Sequence, residues 1–147
     1  MPYLLDTNIL SELRKGKQCD PNVLKWAKAT ISDRHYISVL SLGEIRKGIE
    51  LLKRKSPEQC FAFENWLMTL RTEYEDDILT VTDKISDQWG HMMAKQTKSV
   101  IDGLLAATAL THKLTMATRN VNDFKNTGIE VINPFQYSEN VQHSKSN

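Results

Sequence analysis

The chain has 147 residues, the length of one ordinary domain, and its 40% hydrophobic and 25% charged residues exclude a disordered or fibrous protein. No apolar stretch is long enough to span a bilayer and no cleavable leader is recognisable, so we expect a cytoplasmic protein without a membrane contact. The net charge of +1 neither favours nor excludes nucleic acid, and Cys19 and Cys60, without a Cys-x-x-Cys spacing, are expected to be free thiols, although a disulfide between them stays open.

Short apolar runs alternate along the chain with longer segments that carry apolar residues at helical spacing. The runs predict strands at residues 3–6, 36–39, 78–81, 115–118 and 130–132. The intervening segments predict helices after residue 6 and at residues 21–30, 41–54, 56–74, 83–96 and 101–113. Such alternation is typical of an α/β domain with a mainly parallel sheet, here one domain over residues 1–135 with a polar tail at 136–147.

Helix starts are marked by polar residues at two places. Asp20 precedes Pro21, which suits a cap followed by a proline in the first turn. Ser56 precedes Pro57 and is followed three residues later by Gln59, the spacing of a capping box.

The first predicted strand ends in an acid, in the stretch "YLLDTNIL". Asp6 follows an apolar run typical of a buried parallel strand, and a helical pattern begins directly after it. Ligands of open parallel sheets bind beyond the carboxyl ends of the strands, which is where Asp6 would lie. Asp6 or Thr7 could equally be a helix cap, and this stretch alone leaves the two interpretations open.

Three further acids are expected at the same edge of the sheet. Glu44 lies at the predicted start of the helix after the second strand, Asp102 opens the helix "IDGLLAATAL", and Asp123 follows the fourth strand. An acid in a first helical turn also complements the helix dipole, and Asp123 could be a turn residue. The apolar neighbours of Asp102 argue against that simple reading, because a buried carboxylate needs a partner.

A divalent cation is the partner that several converging carboxylates would share. Mg²⁺ and Mn²⁺ prefer carboxylate and water oxygens, and acids around one pocket repel one another without a cation. Such a site suits phosphodiester cleavage by metal-activated water. Asn8, Thr118 and Asn120 are the uncharged neighbours that we expect to orient the ligands or water.

Other common sites lack their spacing in this sequence. The four histidines show no zinc-binding pattern, and the six glycines form neither a P-loop nor a dinucleotide-binding loop.

Four motifs taken together resemble the PIN-domain nucleases, and within them the VapC toxins of bacterial toxin–antitoxin pairs, near the FitB branch. They are "LLDTNIL", "SLGEIRKGIE", "IDGLLAATAL" and "ATRNVNDF", followed by "GIEVINPF", and the resemblance runs from Pro2 to about Phe135. It implies a three-layer α/β/α sandwich and a Mg²⁺- or Mn²⁺-dependent endoribonuclease. The family's acidic quartet falls on Asp6, Glu44, Asp102 and Asp123, with Asn120 in a supporting position.

The resemblance also implies partners. It implies a homodimer and a small VapB-like antitoxin whose C-terminal segment occupies the toxin's groove and whose N-terminal part binds operator DNA. Many relatives carry a proline shortly before the third acid, where this chain has Ser99.

Basic residues near the expected site are candidates for holding the RNA backbone, since phosphates bind Lys and Arg. We expect this role of Arg46, Lys47 and Arg119. The aromatic residues Trp66 and Trp89 suggest a dimer face. The RNA that is cleaved cannot be read from the sequence, because specificity depends on the shape of the groove.

Two other functions stay open at this stage. One is a phosphatase with Asp6 as a covalent nucleophile, although Asn8 stands where such enzymes carry a second aspartate that acts as general acid. The other is a metal-dependent RNA-binding domain without catalysis.

Overall fold

A five-stranded parallel sheet forms the centre of the computed structural model, which describes residues 1–139. The strand order is β3-β2-β1-β4-β5, so β1 is the central strand. All four pairings between neighbouring strands are parallel. The strands are β1 (Tyr3–Leu5), β2 (His35–Ser38), β3 (Ile78–Leu79), β4 (Thr115–Ala117) and β5 (Val131–Ile132).

Helices cover both faces of this sheet, because parallel strands need crossover connections. Against one face the buried side chains come from α1, α2, α3 and α4, with Trp26 the largest. Against the other face, α6 packs through Leu105, Ala106 and Ala109 onto Leu4 and Met116. The expected three-layer α/β/α sandwich is therefore confirmed. The helices are α1 (Thr7–Leu13), α2 (Pro21–Ala29), α3 (Val39–Lys53), α4 (Cys60–Glu73), α5 (Asp83–Lys95) and α6 (Val100–His112).

Two predictions about helix starts were wrong: the end of the second strand and the capping box at Ser56. Val39 belongs to α3 and not to the second strand, because the Ser38 hydroxyl accepts a hydrogen bond from the Leu40 N–H (3.0 Å) and caps the helix. Ser56 forms no capping box with Gln59. Its N–H donates to the Leu52 carbonyl (2.8 Å), which ties Ser56 to the end of the preceding helix.

The remaining sequence expectations have mixed outcomes. Asp20 caps α2 as predicted, its carboxylate accepting hydrogen bonds from the N–H groups of Asn22 and Val23. Cys19 and Cys60 are free and buried. Among residues 1–139 there is no helix of the length and apolarity that crossing a membrane requires. The domain boundary after residue 135 stays a prediction, and most of the polar tail lies outside the described residues.

Helix α5 lies directly against α6 at Gly103. A Cβ atom there would come within 2.9 Å of the Met93 sulfur and 2.9 Å of the Trp89 ring nitrogen, closer than such contacts occur. Glycine at this position therefore lets the two helices approach each other beside Asp102.

We expect Gly103→Ala to lower the free energy of unfolding by about 1–3 kcal/mol, because Trp89 and Met93 must move to admit the methyl group. Urea unfolding followed by circular dichroism measures this change. Gly90→Ala, at a helical glycine with open space around it, is the matched control and should leave stability equal or higher. An unchanged unfolding midpoint in Gly103→Ala would show that the contact is not tight.

A histidine is packed among aromatic rings at the amino end of β2. The His35 ring stacks on Trp26 with centroids 5.3 Å apart and lies edge-on to Tyr3. Its Nε2 atom is 3.1 Å from the Thr30 hydroxyl. Burial lowers the pKa of His35 below its ordinary value of 6.5, since the charged ring would lose its hydration, and the carboxylate of Asp33 opposes that shift.

Because of this lowered pKa, we expect the free energy of unfolding to decrease as the pH is lowered. Below about pH 6.5 the unfolded chain binds a proton at His35 that the folded chain resists, so stability decreases as the pH falls towards the folded pKa. Urea midpoints measured between about pH 7.5 and about pH 5.5 should show this slope, and His35→Gln should flatten it. His112→Gln, at an exposed histidine, serves as the control. An equal slope in His35→Gln and the parent chain would contradict the assignment.

Candidate active site

Asp6 lies at the carboxyl end of the central strand and is only 7% exposed. It is the N-cap of α1, and its Oδ1 accepts a hydrogen bond from the Thr7 N–H (2.8 Å). Its Oδ2 accepts hydrogen bonds from the Thr118 hydroxyl (2.8 Å) and the Asn8 side-chain amide (3.3 Å). The two interpretations of this acid, as helix cap and as part of a polar site, are therefore compatible.

The pairing of β1 with β4 brings Thr118 to this acid. Leu5 is in register with Ala117, and the Asp6 N–H donates to the Ala117 carbonyl (3.0 Å). The next residue of β4's chain, Thr118, is fully buried and directs its hydroxyl to Asp6. Two residues 112 positions apart in sequence thus meet because their strands are neighbours.

Glu44 reaches the same edge from α3. Its Oε1 accepts a hydrogen bond from the Thr7 hydroxyl (2.7 Å), and the residue is otherwise exposed. Glu44 is not in the first turn of its helix as expected, because α3 begins at Val39 and carries no acid there. The dipole explanation for this acid therefore does not apply.

Thr7, which the sequence pattern indicates only as a possible helix cap, is a residue of the site. Its N–H bonds Asp6 and its hydroxyl bonds Glu44, so it links the two acids. The signal that was available is its position directly after a strand-ending acid, at the first residue of a helix.

Asp102 lies half-buried in the first turn of α6, as predicted. Its N–H donates to the Ser99 hydroxyl (3.2 Å), which is the cap of this helix. Ser99 thus provides a regular start for the helix that carries Asp102.

The charges of three acids act on one another at this edge. Burial raises the pKa of Asp6 most, the hydrogen bonds from Thr118 and Thr7 oppose that rise, and the negative charges of Glu44 and Asp102 add to it. The structure therefore brings these three of the four predicted acids into one electrostatic neighbourhood.

Asp123 is exposed in the short 3₁₀ helix Val121–Phe124, which follows β4. It lines a polar pocket of about 480 Å³ together with Arg119, Asn120 and further side chains.

The donor set suits a hard divalent cation held partly through water. Among residues 1–139 no three His, Cys, Asp or Glu side chains are gathered closely enough to hold a metal ion by themselves. Mg²⁺ needs only one or two carboxylates and keeps several waters, and Asp6, Glu44 and Asp102 supply oxygen donors that repel one another until a cation is present. These residues fit such an ion, and neither sulfur nor imidazole is part of the set.

The three uncharged neighbours have different places. Asn8 and Thr118 contact each other (3.3 Å) as well as Asp6. The Asn120 N–H donates to the Thr118 hydroxyl oxygen (3.0 Å), so Asn120 is attached to the site through its backbone.

The three basic candidates also differ. The guanidinium of Arg46 is engaged by Glu64 through two hydrogen bonds (2.6 and 2.9 Å), so RNA would compete with that pair. Lys47 is exposed on α3. Arg119 is exposed, lies over the Phe135 ring at 4.6 Å and donates its backbone N–H to the Asn8 side-chain oxygen (3.0 Å).

An apolar groove of about 300 Å³ opens beside Glu44 and Thr7. Its walls are α1, α3 and α4, and it includes the aromatic side chains of Phe63 and Trp66. Arg14 lies over the Phe63 ring at 4.0 Å. The groove thus has an acidic end at the candidate site and an apolar remainder.

Comparison with known proteins gives a consistent result. The PIN domain profile matches residues 3–130 of this chain. The chain is 32% identical to VapC ribonuclease Y4jK of Sinorhizobium fredii, over 90% of this chain and 97% of that protein. It is 27% identical to Toxin FitB of Neisseria gonorrhoeae, over 90% of this chain and 97% of that toxin. The solved structure of FitAB bound to an IR36 DNA fragment superposes with a TM-score of 0.79 at 25% identity, covering 93% of this chain and 98% of that one.

Replacing the buried acid is expected to stabilise the metal-free protein. The raised pKa of Asp6 means that its ionised form costs stability as the pH rises through the folded pKa, and Asp6→Asn removes that charge with little change of shape. In EDTA at neutral pH, the urea midpoint of Asp6→Asn should exceed that of the parent chain. Asp76→Asn, an exposed acid preceding β3, is the control and should change little. A lower midpoint in Asp6→Asn would show that the hydrogen bonds to the carboxylate outweigh the cost of its burial.

Proposed function

This chain belongs to the PIN-domain family, and we propose that it is a Mg²⁺- or Mn²⁺-dependent endoribonuclease that acts as the toxin of a toxin–antitoxin pair. The observation that carries the proposal is the buried carboxylate of Asp6, fixed by Thr118 and Thr7 within the field of Glu44 and Asp102. A fold that keeps such a charge buried beside two other acids has a use for a cation there. The relatives named as a VapC ribonuclease and as the FitB toxin support the same activity and role.

Each of the four acids would have its own role in phosphodiester hydrolysis. Asp6 would be the central ligand of the cation, because both of its oxygens are already held in place by hydrogen bonds. Glu44 and Asp102 would complete the negative field, and Asp123 would contribute from the rim. When bound, Mg²⁺ or Mn²⁺ would supply the positive charge that activates water and stabilises the cleaved phosphate.

Neighbouring side chains would orient this set. Thr7 holds Glu44 through its hydroxyl, and Asn8 holds both Asp6 and the backbone of Arg119. Asn120 is linked to the same set, because its backbone N–H donates to the Thr118 hydroxyl oxygen. The exposed guanidinium of Arg119 would attract the RNA backbone, and Lys47 would add charge along α3.

The residue two positions after Asp6 argues against a covalent phosphoaspartate mechanism. Asn8 donates its side-chain amide to Asp6 and lacks the carboxyl group that would act as general acid in such an enzyme.

The partner that we propose is a small antitoxin whose C-terminal segment occupies the apolar groove beside Glu44. Support comes from the groove itself, where Phe63 and Trp66 offer an apolar wall and Glu44 an acidic end that suits a basic side chain. The FitAB complex on DNA has the same fold, and we infer that operator DNA is bound only through the antitoxin.

A homodimer is part of the same proposal. Trp66 and Trp89 are both half-buried, Trp66 beside Arg14 and Trp89 against Gly103 of its own chain. Phe61 and Met68 on α4 are 74% and 65% exposed and are the better candidates for a dimer face.

The decisive test is RNA cleavage by purified, antitoxin-free protein in EDTA, Mg²⁺ or Mn²⁺. We expect discrete fragments that need the metal, and a loss of about 100-fold or more in rate for Asp6→Asn and Asp102→Asn, because each removes charge from the catalytic field. Sequencing of the fragments would identify the target.

The control for these variants is again Asp76→Asn, which should keep the parent rate. Full activity in both Asp6→Asn and Asp102→Asn would refute the site. Metal-dependent RNA binding without cleavage of any RNA would favour a binding module, and a trapped phosphoaspartate on Asp6 would favour a phosphatase.

A further inference from the structure

The polar pocket beside Asp123 is rich in carboxamides. Residues 119–123 form one wall of this cavity of about 480 Å³, and Asn133 and Gln136 form the other. We call it the amide pocket, because Asn120, Asn122, Asn133 and Gln136 all contribute to its lining. Such a concentration of neutral, planar donor–acceptor groups is suited to a ligand with both donors and acceptors on one edge.

The amide pocket is attached to the candidate active site by its backbone. The Arg119 N–H donates to the Asn8 side-chain oxygen (3.0 Å), and the Asn120 N–H donates to the Thr118 hydroxyl oxygen (3.0 Å). Asn8 and Thr118 in turn bond Asp6. A group in this pocket would therefore lie next to whatever the acids hold.

The far wall of the pocket is fixed by a second set of hydrogen bonds. The Phe135 N–H donates to the Asn133 side-chain oxygen (3.0 Å), and the Phe135 carbonyl accepts from the Asn22 side-chain amide (2.8 Å). The guanidinium of Arg119 lies over the Phe135 ring at 4.6 Å. Both sides of the pocket are thus tied to the scaffold before a ligand binds.

Three of the carboxamides are available to a ligand. Within residues 1–139, the side chains of Asn120, Asn122 and Gln136 form no hydrogen bond, and all three residues are exposed. The pocket holds one cation, Arg119, and one anion, Asp123, so its own charges balance. This balance disfavours a bare phosphate, whereas the amides match the edge of a nucleobase.

We infer that the amide pocket binds the base of one unpaired RNA nucleotide adjacent to the cleaved phosphodiester, and that Asn122 and Gln136 select that base. The inference rests on the proposed ribonuclease activity. Proteins read unpaired RNA by hydrogen bonds to exposed base edges and by contact with Arg planes, which this pocket offers in Arg119. Carboxamides pair well with adenine, so adenine is the base expected there.

The first test uses a library of single-stranded RNA oligonucleotides with randomised bases, cleaved by the parent chain and then sequenced at the new ends. We expect an adenine preference at one position beside the cleavage site. The double variant Asn122→Ala/Gln136→Ala should reduce that preference about fivefold or more, while preferences at other positions stay unchanged. Gln59→Ala, at an exposed carboxamide preceding α4, is the matched control and should keep the parent profile.

The second test measures binding and does not depend on cleavage. In the Asp6→Asn background, fluorescence anisotropy compares two labelled RNA oligonucleotides that differ only at the preferred base. We expect the background chain to bind the adenine-containing RNA more tightly, and the added double substitution to equalise the two affinities.

The outcomes separate this inference from the proposed function. A parent chain that cleaves RNA but whose profile is unchanged, or uniformly slowed, in the folded double variant would overturn the base-selecting pocket and leave the nuclease intact. A parent chain that cleaves no RNA would refute the nuclease, and equal binding of the two oligonucleotides in the Asp6→Asn background would then refute the pocket as well. Circular dichroism and thermal unfolding confirm that the variants are folded.

Discussion

The candidate active site is organised around a carboxylate buried at the carboxyl end of the central strand. Asp6 is held there by the Thr7 N–H and the Thr118 hydroxyl, and these two bonds join the start of α1 to the end of β4. Because charged groups are costly to bury, hydrogen bonds of this kind are the condition for placing an ionised acid in such a position. The geometry of the neighbouring loops follows from this arrangement.

Stability and the proposed function favour different protonation states of Asp6. Burial and the charges of Glu44 and Asp102 all favour the neutral form of Asp6, whereas a hard cation requires the ionised form. The hydrogen bonds offset part of this cost, and we infer that a bound cation offsets the rest. Active sites commonly keep such conflicts, since a carboxylate that is already fully stabilised gains little free energy from binding a cation.

The loop after β4 connects the candidate active site with the amide pocket. Its first residue, Thr118, bonds Asp6, its next two are attached to Asn8 and Thr118 by their backbone, and its later ones line the amide pocket. Helices and strands hold the acids, and a loop anchored to them presents the side chains that we infer select the RNA. This division is common in α/β enzymes, because loops vary while the scaffold fixes the reacting groups.

Hydrophobic patterning alone predicted the alternation of strands and helices, and hence the parallel sheet with helices on both faces. Hydrophobic periodicity is a local property, and the five predicted strands differ from the observed ones by only one or two residues at an end. The motifs also predicted that Asp6, Glu44, Asp102 and Asp123 share one edge of the sheet, and that these four acids form one catalytic site stays a prediction.

The contacts between distant side chains follow from the packing of the folded chain. The bond between Thr7 and Glu44 and the pairing of Arg46 with Glu64 depend on how α1, α3 and α4 pack, which no local pattern encodes. Two local deviations have other causes: the Ser38 hydroxyl caps α3 at the Leu40 N–H, and the Ser56 N–H is already bonded to the Leu52 carbonyl. The amide pocket was likewise invisible in the sequence, since its two walls come from separate segments that meet only after β4 and β5 pair.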